Sequence, residues 1–240
     1  MNKIAIMQPT FNPWLGYFDL IKRVDKFIIL DTVQLNQQSW QTRNKIKIQD
    51  KEFMICIPII KSEAKYNLLI KDTLIDFRKF DFRKKLLKSI EQNYTKSQHF
   101  SDTFEFIKSL ILFKTEYLGE YNINIIKKVA QKLKLHTEII ILSDTNFTSS
   151  KQKGELIIDI CKYFYTNEYI SPIGSKDYLD KSMDNFNALN ISVEYQKYNH
   201  PQYNQLDNNF IPFLGIFDLL MNEGFDNSRN ILIGDNNENR

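Results

Sequence analysis

Apolar and polar positions alternate between two periods along this chain. Ile4-Ala5-Ile6-Met7 is a short apolar run and reads as a strand that stops before Pro9, which cannot donate to a sheet ladder. Trp14, Tyr17, Phe18 and Ile21 follow at helical spacing and predict a helix with one apolar face. Asn12 is expected to cap that helix, with Pro13 at its first position, where the missing N–H costs nothing. Lys26 to Leu30 is a second strand-length run, ending at Asp31. Strand, turn, helix, strand is the first unit of a parallel sheet.

Residues 32 to 44 are polar and aromatic, with Gln34, Gln37, Gln38, Trp40, Gln41 and Arg43, and read as a long loop. Ile46 to Ile60 predicts one or two strands. Residues 72 to 135 carry three amphipathic patterns and predict a helical stretch. They are carried by Phe82, Leu86 and Ile90, then Phe104, Ile107 and Ile111, then Ile126, Val129 and Leu133. Arg78, Lys79, Arg83, Lys84, Lys85 and Lys88 form a basic run there, read first as a solvated helix face and second as a steering patch for an anionic substrate. Glu138 to Leu142 predicts a strand buried on both faces. A helix from about Lys151, a strand at Glu168 to Ser171 and a strand at Ile191 to Lys197 come next. A last helix is expected to open at Pro212, point Phe213 inward and stop at Gly224, before a polar tail from Asp235.

The expected architecture is α/β: a Rossmann-like, mostly parallel sheet with a helical insertion in the middle of the chain, residues 72–135, inside one domain of residues 1–240. The 240 residues, 42% hydrophobic, suffice for a sizeable core. A net charge of +3 from 32 basic and 29 acidic residues gives no overall footprint for nucleic acid, which is not expected as a partner. Cys56 and Cys161 sit far apart in apolar runs and are expected to be buried, reduced thiols. No metal-ligand spacing occurs, so no metal is expected. No apolar run is long enough to span a bilayer and no leader pattern opens the chain, so a cytoplasmic protein without a membrane partner is expected. The oligomeric state stays open.

In a parallel sheet the polar residues at strand carboxyl ends share one edge, where open α/β sheets bind ligands. Gln8, Asp31, Ser143, Asp144, Ser171, Ser175 and His200 all fall there. The turn before the first helix would offer backbone N–H groups near Asn12 to an anion. His200 can take a proton near neutral pH, and Asp31 is the second candidate base. Arg43 and Lys47 could hold phosphate, Arg by a bidentate contact. Trp40, Tyr17 and Tyr203 could stack on a base or sugar. Trp14, on the apolar helix face, is expected in the core.

Gln8-Pro9-x-Phe11-x-Pro13-Trp14-x-Gly16-Tyr17-Phe18, Asp31-x-Val33-Gln34, Trp40 and Arg43-Asn44-x-Ile46-Lys47 stand in the order and spacing of the WbqC-like proteins of bacterial surface-polysaccharide gene clusters, which this chain resembles. Ser175-Lys176-Asp177-Tyr178-Leu179, His200-Pro201-x-Tyr203-x-Gln205 and Phe217-Asp218-Leu219-Leu220 before Asn222-Glu223-Gly224 extend the resemblance. Met7 departs from it, since many relatives carry His before Gln-Pro. The resemblance implies an N-acyltransferase, often described as a glycine transferase, on an amino sugar or nucleotide sugar of O-antigen or lipopolysaccharide biosynthesis. It adds Gln34, Asn44, Ser175, Lys176, Tyr178 and Gln205 to the expected substrate contacts. The acyl donor stays open between an aminoacyl thioester, an aminoacyl-tRNA and free glycine with ATP.

A weaker similarity links Thr10-Phe11-Asn12-Pro13 to the turn of the nucleotidyltransferase and pantothenate synthetase superfamily. The H-x-G-H that follows in that superfamily is missing, which argues against ordinary adenylate chemistry. Two rivals remain: a divergent ATP-dependent amide ligase or nucleotidyltransferase, and a non-catalytic sugar-nucleotide binding protein. Phosphate-loop and hydrolase-elbow motifs are absent.

Overall fold

The computed structural model describes residues 2–36, 39–60, 68–207 and 209–234. Gln37, Gln38 and the tail from Asp235 lie outside the described residues. The chain forms two compact units. The first comprises Met1–Gln8, Asp19–Thr32 and His136–Tyr198; the second comprises Pro9–Phe18, Val33–Leu135 and Asn199–Arg240.

The first unit holds a five-stranded parallel sheet. Its strands are β1 (Lys3–Met7), β2 (Lys26–Ile29), β5 (Glu138–Ile141), β6 (Glu168–Ser171) and β7 (Ser192–Tyr195), in the order β5-β2-β1-β6-β7. Counted by appearance in the chain, that order is 3-2-1-4-5, the Rossmann arrangement, with its switch between β1 and β6. Every pairing is parallel; Ile4 faces Lys26 on one side and Tyr169 on the other. The central strands have the apolar composition such burial requires: Ile4, Ala5, Phe27, Ile28 and Ile29 are fully buried. Removing the Ile and Phe side chains from water contributes about 1.5–3 kcal/mol each. β5 is an edge strand, and Ile139 to Ile141 are only half-buried, so the expectation of burial on both faces is corrected. Helices α5 (Lys153–Tyr163), α6 (Lys176–Leu179) and α7 (Met183–Ala188) belong to this unit.

The second unit contains the helical insertion, α2 (Phe82–Tyr94), α3 (Phe100–Ile111) and α4 (Leu118–Lys132), together with α8 (Ile216–Gly234). Asp81 caps α2 by accepting the Arg83 N–H at 3.1 Å. The helix then buries Phe82, Leu86, Ile90 and Tyr94, the stripe read from the sequence. β3 (Arg43–Ile48) and β4 (Lys51–Cys56) form an antiparallel hairpin, outside the parallel sheet. Its turn residues Gln49 and Asp50 both have positive φ, as a tight two-residue hairpin demands. Cys56 at the end of β4 is exposed, whereas Cys161 is buried and its thiol is pushed up to about 12 by that burial. The expectation of two buried thiols therefore holds for one.

Two helix boundaries differ from the sequence reading. Helix α1 (Leu15–Lys22) starts two residues after Pro13, because Asn12 takes a left-handed φ of 43° and Trp14 pairs in an isolated antiparallel bridge with Gly215. Helix α8 starts at Ile216 rather than Pro212, and Phe213 before it is 53% exposed rather than inward. The expected stop at Gly224 is present: its φ of 70° and ψ of −175° are non-helical and break the span, and a second helical stretch continues beyond the kink to Gly234.

Candidate functional site

In the first unit the carboxyl edge of the sheet carries Gln8 after β1, Asp31 after β2, Ser143 after β5 and Ser175 after β6. Asp31 is 2% exposed. It accepts the Ser143 N–H at 3.1 Å and the Ser143 hydroxyl at 2.5 Å, one on each oxygen. Its carboxylate thus fastens the end of β2 to the end of β5. Gln8 is half-buried and Ser175 buried. Lys176 is exposed, bonded to Asp180 at 2.8 Å, and its ammonium lies 4.7 Å from the centre of the Tyr195 ring. Asp180 also accepts the Tyr195 hydroxyl at 2.5 Å. Desolvation, then the bond to Asp180, pushes that phenol up to about 12. Tyr178 is half-buried beside this group.

Asp144 and Ser171 also belong to the first unit, and the other sequence-expected residues to the second. The turn from Pro9 to Trp14 is held by three buried amides. Asn44 donates to both Phe11 O and Asn12 O at 2.8 Å. Asn122 donates to Pro9 O and Gln41 O at 3.0 and 2.8 Å. Asn12 accepts the Phe217 N–H at 3.1 Å, and Pro13 O accepts the Ile216 N–H at 2.8 Å. Asn12 therefore caps α8, some two hundred residues away, instead of α1. Phe11 N–H donates to Trp40 O at 2.9 Å and is not offered to an anion. Gly215 fits against Asn12 because it lacks a side chain; a Cβ there would stand 2.1 Å from Asn12 Nδ2.

Lys47 was expected to face phosphate. It is buried, and its ammonium donates to Leu206 O and to Asn209 O at 2.5 Å and pairs with the Asp50 carboxylate at 3.1 Å. Arg43 opens β3 with its guanidinium 5.9 Å from the centre of the Trp40 ring, and Trp40 is 49% exposed. Gln34 is exposed and bridges Leu69. Tyr17 is fully buried against Phe18, its phenol pushed far up by desolvation, so it forms core rather than a stacking wall.

A group of aromatic rings surrounds His200. Phe213 lies 4.6 Å from it, Phe210 6.0 Å, Trp14 6.2 Å and Tyr203 6.3 Å, measured between ring centres. Trp14 meets Phe213 edge-on at 5.5 Å. Trp14 is only half-buried and spreads over Gly16, so it belongs to this group and not to the core of α1. Desolvation lowers His200 to about 4, which keeps the imidazole uncharged at neutral pH. Its Nε2 accepts the Phe213 N–H at 3.2 Å, which assigns the ring hydrogen to Nδ1. Phe213 adopts a left-handed φ of 60°, a strained conformation for an aromatic residue.

Behind the rings lies a buried polar network that sequence reasoning missed. Asp218, on the first turn of α8, accepts Tyr94 Oη–H at Oδ1 and Tyr203 Oη–H at Oδ2, both at 2.7 Å. Burial raises its pKa against those bonds and the nearby Lys47 charge. Lys47 N–H donates to Tyr94 Oη at 2.8 Å. Asn222 donates to Asp218 O and accepts Leu206 N–H, and Glu223 accepts Asn204 N–H at 2.7 Å. Gln205 closes a reciprocal pair with Ile211, both bonds at 2.9 Å. The network fixes the segment from His200 to Phe213 onto α8. A signal for it existed: an Asp and an Asn–Glu pair on the otherwise apolar first two turns of α8, and a Tyr at the inward end of α2.

Among the described residues no group of His, Cys, Asp and Glu could hold a metal ion, and no helix is long and apolar enough to cross a membrane. The model of the WbqC-like protein family matches residues 8–230. An uncharacterized protein of Mycobacterium tuberculosis is 30% identical over 226 residues, covering 93% of this chain and 95% of that protein. No solved structure matches.

Proposed function

The chain belongs to the WbqC-like protein family, and from that premise we propose that it is an enzyme that acylates the amino group of an amino sugar, free or nucleotide-linked, with glycine as the transferred acyl group. In this reading it works in the cytoplasm on precursors of surface polysaccharide. One observation carries the proposal: an uncharged His200 set among Trp14, Tyr203, Phe210 and Phe213. Aromatic faces take the apolar face of a sugar ring, and a neutral imidazole accepts a proton.

The sugar amine attacks the acyl carbonyl carbon and a C–N bond forms. The nitrogen of the resulting adduct is far more acidic than a free ammonium, so an imidazole of low basicity suffices to remove its proton. The amine takes the place of the Phe213 N–H as the partner of Nε2. The bond from the carbonyl carbon to its leaving group then breaks, and the imidazolium returns the proton to that group. Asp31 is committed to Ser143, which leaves His200 as the base.

The test is product analysis by mass spectrometry, with nucleotide-linked amino sugars and glycine supplied as a thioester, as aminoacyl-tRNA, or free with ATP. An amide product with one donor, reduced about 10²- to 10⁴-fold in a folded His200→Gln variant, supports the proposal. Saturable sugar-nucleotide binding without product from any donor identifies a binding protein instead. Glycine-dependent exchange of pyrophosphate into ATP without the sugar identifies an adenylating ligase.

A further inference from the structure

One short segment of the chain is strongly basic. Residues 78 to 88 hold six basic residues and one acidic residue, Asp81, an excess larger than the +3 of the whole chain. The two arginines of this segment are engaged. Arg78 pairs with Asp76 through Nε and Nη2 at 2.9 and 2.8 Å. Arg83 pairs with Asp81 through the same two atoms, both at 2.8 Å. The lysines are presented to solvent. Lys84, Lys85 and Lys88 are exposed on the side of α2 opposite its buried stripe of Phe82, Leu86, Ile90 and Tyr94. Lys79 and Phe80 precede the helix, both exposed, with Phe80 at 51%. One turn beyond Lys88, the exposed Glu91 ends the positive stripe.

We propose that this face is a docking surface for an anionic lipid bilayer. The ammonium of lysine is a compact point charge that suits a diffuse negative surface, whereas bidentate reading of single phosphates needs guanidinium forks, and these are taken. An exposed phenyl ring beside the lysines supplies the apolar contact that interfacial binding adds to charge. A single-stranded nucleic-acid groove calls instead for several ring platforms along the strand, whereas Phe80 is the exposed ring beside these lysines. The docking is peripheral, consistent with the lack of a spanning helix among the described residues, and it revises the expectation that membranes play no part. It stands independently of the acyl-transfer reading.

The test is co-sedimentation of the full chain with vesicles of phosphatidylcholine and phosphatidylglycerol, against vesicles of phosphatidylcholine alone. The wild-type chain should bind the anionic vesicles, and binding should fall as salt rises. Each lysine near such a surface is worth on the order of fivefold in partitioning. The combined Lys84→Gln, Lys85→Gln, Lys88→Gln variant, with an unchanged circular dichroism spectrum, should therefore lose on the order of 100-fold. Phe80→Ala should weaken binding without changing its salt dependence. Equal binding to both vesicle types, no binding to either, or unaltered binding by the triple variant would overturn the proposal. So would salt-sensitive binding to single-stranded RNA in the absence of vesicle binding, which would assign the face to nucleic acid.

Discussion

Tyr203 donates its hydroxyl to Asp218 Oδ2 at 2.7 Å, while Tyr94 donates to the other oxygen of the same buried carboxylate. The pair ties the segment carrying His200 to the first turn of α8. Tyr203→Phe leaves a buried carboxylate oxygen without its donor and should cost about 1–3 kcal/mol of stability in a denaturant titration. Tyr94→Phe should cost a similar amount. Because both act on one carboxylate, the double variant should depart from additivity.

Gly16 has no room for a side chain beneath Trp14, since a Cβ would stand 2.2 Å from Cη2 of the indole. Gly16→Ala must swing the ring away, at about 1–3 kcal/mol. Ligand affinity should fall with it if Trp14 is a wall of the sugar site. Trp14→Ala should cost less than the roughly 3–5 kcal/mol of a core tryptophan, because the ring is half-exposed. Thermal melts of both variants check this.

Gly224 combines a backbone conformation available essentially to glycine with close approach to His99, whose Nδ1 would meet a Cβ at 2.8 Å. Gly224→Ala should lose about 1–3 kcal/mol from backbone strain, plus the clash. His99→Ala in the same chain should recover only the clash. Urea denaturation of the three chains separates the two contributions.

His200 makes stability depend on pH. Its folded pKa, about 4, lies below the 6.5 of an unfolded histidine, so between these values the unfolded chain binds more protons. Its contribution is fully present above about pH 6.5 and is lost as pH falls toward 4. Asp218, raised by burial, acts with the opposite sign. The difference between wild type and His200→Gln cancels Asp218 and isolates the histidine. That difference, followed by denaturation at several pH values, should shrink across this window as the pH drops.

The sheet was legible because β1 and β2 are runs of Ile, Ala and Phe, because Pro9, Asp31 and Pro172 bound its strands, and because the helical insertion repeats its apolar residues at helical spacing. The starts of α1 and α8 were not. Asn12-Pro13 has the local form of a helix start, but a left-handed Asn12 and a partner two hundred residues away redirected it. No local pattern announces a cap supplied from so far. The His200 segment was visible as a motif, and its neighbour Tyr203 was expected. The role of Asp218, and of Lys47 as a clamp on carbonyl groups, depends on tertiary pairing that a single chain does not display. Phe213 read as inward because helical spacing was extended back to Pro212 across a turn.

The most direct test of the sugar site uses the two tryptophans, Trp14 and Trp40. In a Trp40→Phe chain, Trp14 alone reports, and nucleotide-linked amino sugars should change its fluorescence saturably. Phe213→Ala should weaken that response by about tenfold or more, the scale of losing one ring contact of roughly 1.5 kcal/mol. An emission from Trp14 that stays constant while calorimetry shows the same sugar bound would place the ligand away from the His200 rings and contradict the account.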